Sequence, residues 1–244
     1  MAKRNILVFY SNTNTHGKKD ATGAFIPEAK AFVKTHSVPV DNIFPMNLNK
    51  VPTKERRLKV IRALNNYKGP KLNAIAFFGH GWPSGIQFGF RKHQISLLVT
   101  NFKNICKPSV NILLYACLAA ENKVKDSNIK NVGPGTDGGF ADLLRDEMVR
   151  QGMNRGWVDA HKTAGHTTWN PFVVRFYCKN VDDPKVGAVG GSWLVQPRSQ
   201  FWKLWIIELR NKKRGMRYLF PFMEELELKA KLAGKKIIHY DFTK

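Results

Sequence analysis

The stretch Asn73-Ala74-Ile75-Ala76-Phe77-Phe78-Gly79-His80-Gly81 decides the fold class, together with a second of the same build, Val110-Asn111-Ile112-Leu113-Leu114-Tyr115-Ala116-Cys117. Each is a short apolar run that closes on small or turn-forming residues. Such runs suit strands buried on both faces of a parallel sheet. In sheets of that kind, ligands and reactive groups gather at the carboxyl ends of the strands. One run ends in His80 and the other in Cys117, so an imidazole and a thiol can face each other across a crevice. Those two groups are the minimum for thiol nucleophilic catalysis.

Working outward, residues 6–10 read as another buried strand, followed by a polar, flexible loop over 11–22. Residues 27–35 suit a short helix with Pro27 in its first turn. Residues 43–46 form a weak strand that Pro45 demotes to an edge. Residues 53–67 predict a helix capped by Thr53, with Leu58, Ile61 and Leu64 as its inward stripe. Residues 85–90 predict a hairpin arm and 93–104 a further helix. A Gly-rich stretch over 121–139 predicts a mobile loop. Residues 140–151 predict an amphipathic helix that Gly152 can end. Residues 157–166 and 172–178 read as two more strands. The alternation predicts an α/β sandwich around a mostly parallel central sheet.

The tail differs in composition. Residues 193–244 interleave Trp202, Trp205, Tyr218 and Phe220 with Arg210, Lys212, Lys213, Arg214 and Arg217. A helix after them places Glu224, Glu225 and Glu227 before Lys229 and Lys231, an order that matches the helix dipole. The expected organisation is a core over 1–192 and a basic, aromatic α/β extension over 193–244, packed on that core. Its cationic cluster suits phosphate contact and base stacking, or simply a solvated face beside a core-packing stripe.

The 244 residues carry 40 Lys and Arg against 18 Asp and Glu, a net charge of +22. That exceeds the magnitude of about 2 to 8 that keeps a small domain in solution, so polyanions such as nucleic acid are expected partners. Three cysteines, Cys106, Cys117 and Cys178, are poor material for a disulfide framework. No secretory signal and no membrane-spanning run is visible. The expected location is therefore cytoplasmic or associated with a virion or nucleoid.

A cysteine attacks as its thiolate, which a nearby imidazole can generate or stabilise. Acyl transfer also needs donors for the oxyanion, commonly backbone N–H groups. The amides of Gly81 and Cys117 are natural candidates, because Gly81 permits close approach and Ala116 leaves room beside the thiol. The interval from 80 to 117 holds one crossover with a helix. The bland alternatives are a buried core cysteine and a His-Gly turn.

A strand ending in His-Gly, followed by a strand ending in Ala-Cys, resembles the caspase-like cysteine peptidases of clan CD. The resemblance covers roughly residues 1–178. It implies a caspase-like three-layer sandwich, a polypeptide substrate and no cofactor. It also implies His80 as general acid and base, Cys117 as nucleophile, and the Gly81 and Cys117 amides as the oxyanion hole. Caspases proper carry Gln-Ala-Cys, with the His about 50 residues upstream. This chain has Tyr115-Ala116-Cys117 and a gap of 37 residues, 117 − 80. Caspase specificity is therefore not inherited.

In this superfamily the loop after the first strand can charge the primary specificity pocket. Here it holds Lys18, Lys19 and Asp20. Asp20 suits a basic residue and the lysines an acidic one, with Asp20 favoured. The loop over 121–139, with Lys123, Lys125 and Lys130, suits autoprocessing as related loops are cut in the superfamily.

Other chemistries fit worse. The residues after Cys117 lack the glycines and arginine of a phosphate cradle, and Cys117 lacks the flanking glycines of a hydrolase elbow. Asp159, His161, His166 and Cys178 match no strong zinc spacing, so no metal is expected. His166 is instead a candidate for lining the substrate cleft.

Overall fold

The computed structural model of the chain describes residues 4–14, 23–123, 135–162 and 173–179. Its strands are β1 (Ile6–Ser11), β2 (Ile43–Met46), β3 (Leu72–Phe78), β4 (Gly81–Trp82), β5 (Gly85–Ile86), β6 (Phe90–Arg91), β7 (Cys106–Tyr115), β8 (Trp157–Ala160) and β9 (Val174–Tyr177). The helices are α1 (Ile26–Thr35), α2 (Thr53–Asn66), α3 (Ile95–Phe102) and α4 (Phe140–Arg150).

Six strands form one sheet in the order β2-β1-β3-β7-β8-β9. All neighbours are parallel except β8 and β9. The mixed α/β architecture with a mostly parallel sheet agrees with the two apolar runs, since only strands covered on both faces can be apolar at every position. Strand alternation splits the side chains into two cores. Leu7, Phe9, Ile75, Phe77, Ile112 and Leu114 pack with Val60, Leu64, Leu98, Leu144 and Met148 of α2, α3 and α4. Ile6, Val8, Ala74, Ala76, Phe78, Leu113 and Tyr115 pack with Ala29 and Phe32 of α1 on the opposite face.

Several boundaries differ from expectation. Thr53 does not cap α2: Pro52 occupies the cap and Thr53 is the first helical residue. The fixed φ of proline opens the helix without a side-chain oxygen. Leu58 is exposed, and the inward stripe runs through Val60 and Leu64 instead, with Ile61 partly buried beside them. β7 starts at Cys106, before the apolar run, because Leu72 pairs with Cys106 and the register then shifts to Ala74 with Asn111. The hairpin expected over 85–90 is present as β5 and β6, and β4 joins it to make a three-stranded antiparallel sheet. Asp20, His166 and the extension over 193–244 lie outside the described residues, as does most of the 121–139 loop.

Gly89 shows how this small sheet is seated. It sits at φ +92°, and a Cβ there would lie 2.3 Å from the Thr53 carbonyl oxygen. Only glycine lets the β5–β6 turn press onto the first turn of α2. Arg57 then donates to the Gly89 carbonyl at 2.9 Å.

Candidate functional site

The strand order reverses direction at β1, whose neighbours are β2 on one side and β3 on the other. In open α/β sheets, ligands bind outside the carboxyl ends of the strands at such a switch point. His80 lies two residues past the end of β3, which borders that point, and Cys117 lies two residues past the end of β7. Phe78 pairs with Tyr115 in register. The two residues therefore leave adjacent strands, about 4.8 Å apart, at the same height.

Backbone contact brings them together. Gly79 N–H donates to the Tyr115 carbonyl at 3.3 Å, which carries the pairing past the strand ends. A Cβ on Gly81 would lie 2.7 Å from the Cys117 carbonyl oxygen and 2.7 Å from the Ala116 Cβ. Both distances are below any real contact, so His80-Gly81 reaches Ala116-Cys117 only because position 81 has no side chain. His80 is buried and Cys117 is half-buried. Cys117 packs against the α1-side core.

Each partner is held from behind. The His80 N–H donates to Gln87 Oε1 at 2.9 Å, and the His80 carbonyl accepts from the Gln87 N–H at 2.9 Å. Gln87 thus grips the His80 peptide from both sides, and its own carbonyl accepts from Arg56 Nη1 at 3.3 Å. Beyond Cys117, Leu118 adopts φ +59°, a left-handed conformation costly for a side chain with a Cβ. Strain of this kind persists where surroundings over-determine it. Here the Ala119 carbonyl accepts from Ala141 N–H at 2.9 Å, the Ala120 N–H donates to the His161 carbonyl at 3.0 Å, and the Glu121 N–H donates to the Leu118 carbonyl at 3.0 Å. The turn carrying the thiol is tied to α4 and to the end of β8.

His161 also stands close to the candidate pair, where a longer strand was expected. It follows β8 directly, so it stands at the third successive strand end, after His80 and Cys117. It is fully buried, edge-on to Tyr115 with ring centroids 4.4 Å apart and parallel to Phe25 at 6.0 Å. Phe25 arrives there through a left-handed turn in which Gly23, Ala24 and Phe25 all have positive φ. The pattern of a strand ending in His was available in the sequence, but the expected strand ran on through 166 and hid the end at Ala160. Gln87 gave no signal, because its role depends on a hairpin that returns it to His80.

Asp159 is engaged elsewhere, accepting from Arg175 Nε at 2.9 Å across β8 and β9. Cys178 is buried, and burial pushes its thiol up to about 12. Burial pushes the Cys106 thiol up as well. Among the described residues, no group of three or more His, Cys, Asp or Glu side chains could hold a metal ion. No described helix is long and apolar enough to cross a membrane. No protein family, curated protein or solved structure was found to match the chain.

Proposed function

We propose that this protein is a cysteine endopeptidase on a caspase-like scaffold, with His80 and Cys117 as its catalytic pair. The observation that carries the reading is the contact of His80-Gly81 with Ala116-Cys117 at the carboxyl ends of neighbouring parallel strands. His80 takes the thiol proton, and the thiolate adds to a peptide carbonyl. The oxyanion of the tetrahedral intermediate accepts hydrogen bonds from the Gly81 and Cys117 amides. His80 then returns its proton to the leaving amine as the C–N bond breaks, which leaves a thioester on Cys117. Water, deprotonated by His80, hydrolyses the thioester and restores the thiol. No cofactor enters this cycle.

Digestion of a peptide library tests the proposal. Cleavage by the wild-type chain should fall by roughly 10³-fold or more in Cys117→Ala and in His80→Ala, with circular dichroism unchanged. Equal cleavage by Cys117→Ala would overturn it. Autoprocessing within 121–139 belongs to the same proposal. Intact mass should show cleaved wild type and uncleaved Cys117→Ala, and a single uncut chain in both sinks that part.

The net charge of +22 favours a second reading, a polyanion-binding protein without catalysis on the same scaffold. It requires duplex DNA binding that weakens steeply with salt. Weak, salt-insensitive binding excludes it.

A further inference from the structure

Beside the strand ends lies a cleft of about 530 Å³, lined among others by Arg56, Trp82, Phe90, Arg91 and Lys123. We infer that this cleft receives an acidic segment of the substrate polypeptide, flanking the bond that is cut. The inference rests on the peptidase reading and adds the substrate class to it.

Charge is the first argument. The described lining holds Arg56, Arg91 and Lys123 and no Asp or Glu. Arg91 and Lys123 are exposed, so their charges face solvent at the cleft. Arg56 is fixed: its Nε donates to the Val51 carbonyl at 2.7 Å and its Nη1 to Gln87. Two of its five N–H donors are thereby used on carbonyls, and the guanidinium is presented in one orientation. Three cations around a cleft with no described acidic lining residue attract anionic groups, carboxylates among them.

Placement is the second. Trp82 follows His80 by two residues, and Lys123 follows Cys117 by six. The cleft is therefore built from the chain continuing out of both halves of the candidate site. A ligand held there lies beside the segments that leave His80 and Cys117. Arg56 also donates to the carbonyl of Gln87, the residue that grips His80.

Shape is the third. β4 is an edge strand of the β4-β5-β6 sheet, so one side of Gly81–Trp82 joins no other strand of that sheet. An extended peptide can add to such an edge through main-chain hydrogen bonds. A nucleic acid backbone offers no matching ladder. Trp82 keeps 43% of its surface exposed, an apolar face beside the cations. An acidic peptide with an interspersed apolar or aromatic residue fits both features. The loop over 15–22, where primary specificity was expected, lies outside the described residues, so the cleft concerns flanking positions.

The test separates binding from cleavage. In the Cys117→Ala background, a fluorescein-labelled Glu-rich decapeptide should bind by anisotropy, and a Lys-rich one should not. Adding Arg91→Glu and Lys123→Glu, both exposed substitutions that leave the core intact, should weaken the Glu-rich peptide at least tenfold. With Cys117 present, the same pair should lower kcat/KM for acid-flanked substrates at least tenfold more than for neutral-flanked ones. Equal binding of the Glu-rich peptide before and after charge reversal overturns the inference. So does a loss confined to duplex DNA, which would assign the cations to nucleic acid. Intact acidic-peptide binding with no Cys117-dependent cleavage of any peptide would instead sink the peptidase reading and leave the cleft assignment standing.

Discussion

At the scale of single residues, Gly81 is the most exacting position in the site. Gly81→Ala places a Cβ 2.7 Å from the Cys117 carbonyl oxygen and the Ala116 Cβ, and neither is the end of a flexible side chain. The His80 segment must move away, and displacements near 1 Å at a catalytic centre cost about 10²-fold in rate. The variant should stay folded, lose roughly 1–3 kcal/mol of stability, and lose about two orders of magnitude in kcat/KM. Retained activity would show that the contact has no catalytic role. The thiols offer a second residue-scale prediction. Burial pushes Cys178 up to about 12 and pushes Cys106 up too, whereas Cys117 is only half-buried. Iodoacetamide at neutral pH should therefore alkylate Cys117 in the folded chain and reach the other two only after denaturation, as read by peptide mass mapping. That His80 and Cys117 stand at the ends of neighbouring strands was legible in the sequence, because a polar or thiol residue closing an apolar run is a local pattern. The left-handed Leu118 was not, since nothing local favours that backbone in a leucine.

At the scale of elements, the sheet was legible and its accessories were not. Apolar runs in β1, β3 and β7 announce strands covered on both faces, and the amphipathic spacing of Phe140, Leu144 and Met148 announces α4. The start of β7 was hidden because Lys107-Pro108-Ser109 reads as a turn, while the chain crosses that stretch through a register shift and stays in the sheet. The β5–β6 hairpin was expected, but β4 beside it was hidden, because a two-residue strand carries no periodicity. The hairpin supplies Gln87, whose Oε1 accepts from the buried His80 N–H. Gln87→Ala removes that acceptor and leaves a buried donor behind, at a cost of about 1–3 kcal/mol. The main-chain bond from Gln87 N–H to the His80 carbonyl survives, so the arm should remain docked. The expected outcome is a lower melting temperature with a fall in kcat that exceeds any change in KM. A variant altered in KM alone would place Gln87 in substrate binding instead.

At the scale of the whole molecule, the candidate pair stands at the carboxyl ends of β3 and β7, next to the switch point at β1, and stability also rests on contacts far from it. One of these sets a pH response. Glu147, near the end of α4, accepts from both Nε and Nη2 of Arg150 and from the Gln151 amide. Gln151 in turn meets Thr100 of α3, and Arg150 donates to Ser96, so the cluster ties α4 to α3. The Arg150 hydrogen bonds, opposed by partial burial, hold the Glu147 carboxyl down at about 2, below its ordinary 4.5. Above pH 4.5 the carboxylate is ionised in both states, and the native contacts contribute in full. Between 4.5 and about 2 the unfolded chain binds the proton first, so stability falls as pH falls. Below about 2 the contribution is gone. Protonation across this range also adds to a chain already at +22, and that self-repulsion steepens the loss. Thermal melts of the wild-type chain and Glu147→Gln should therefore differ most above pH 4.5 and converge towards pH 2. Raising the salt concentration should shrink the difference, because Arg150 is exposed. A gap that stays constant from pH 6 to pH 2 would mean that packing, and not the ionised carboxylate, couples the two helices.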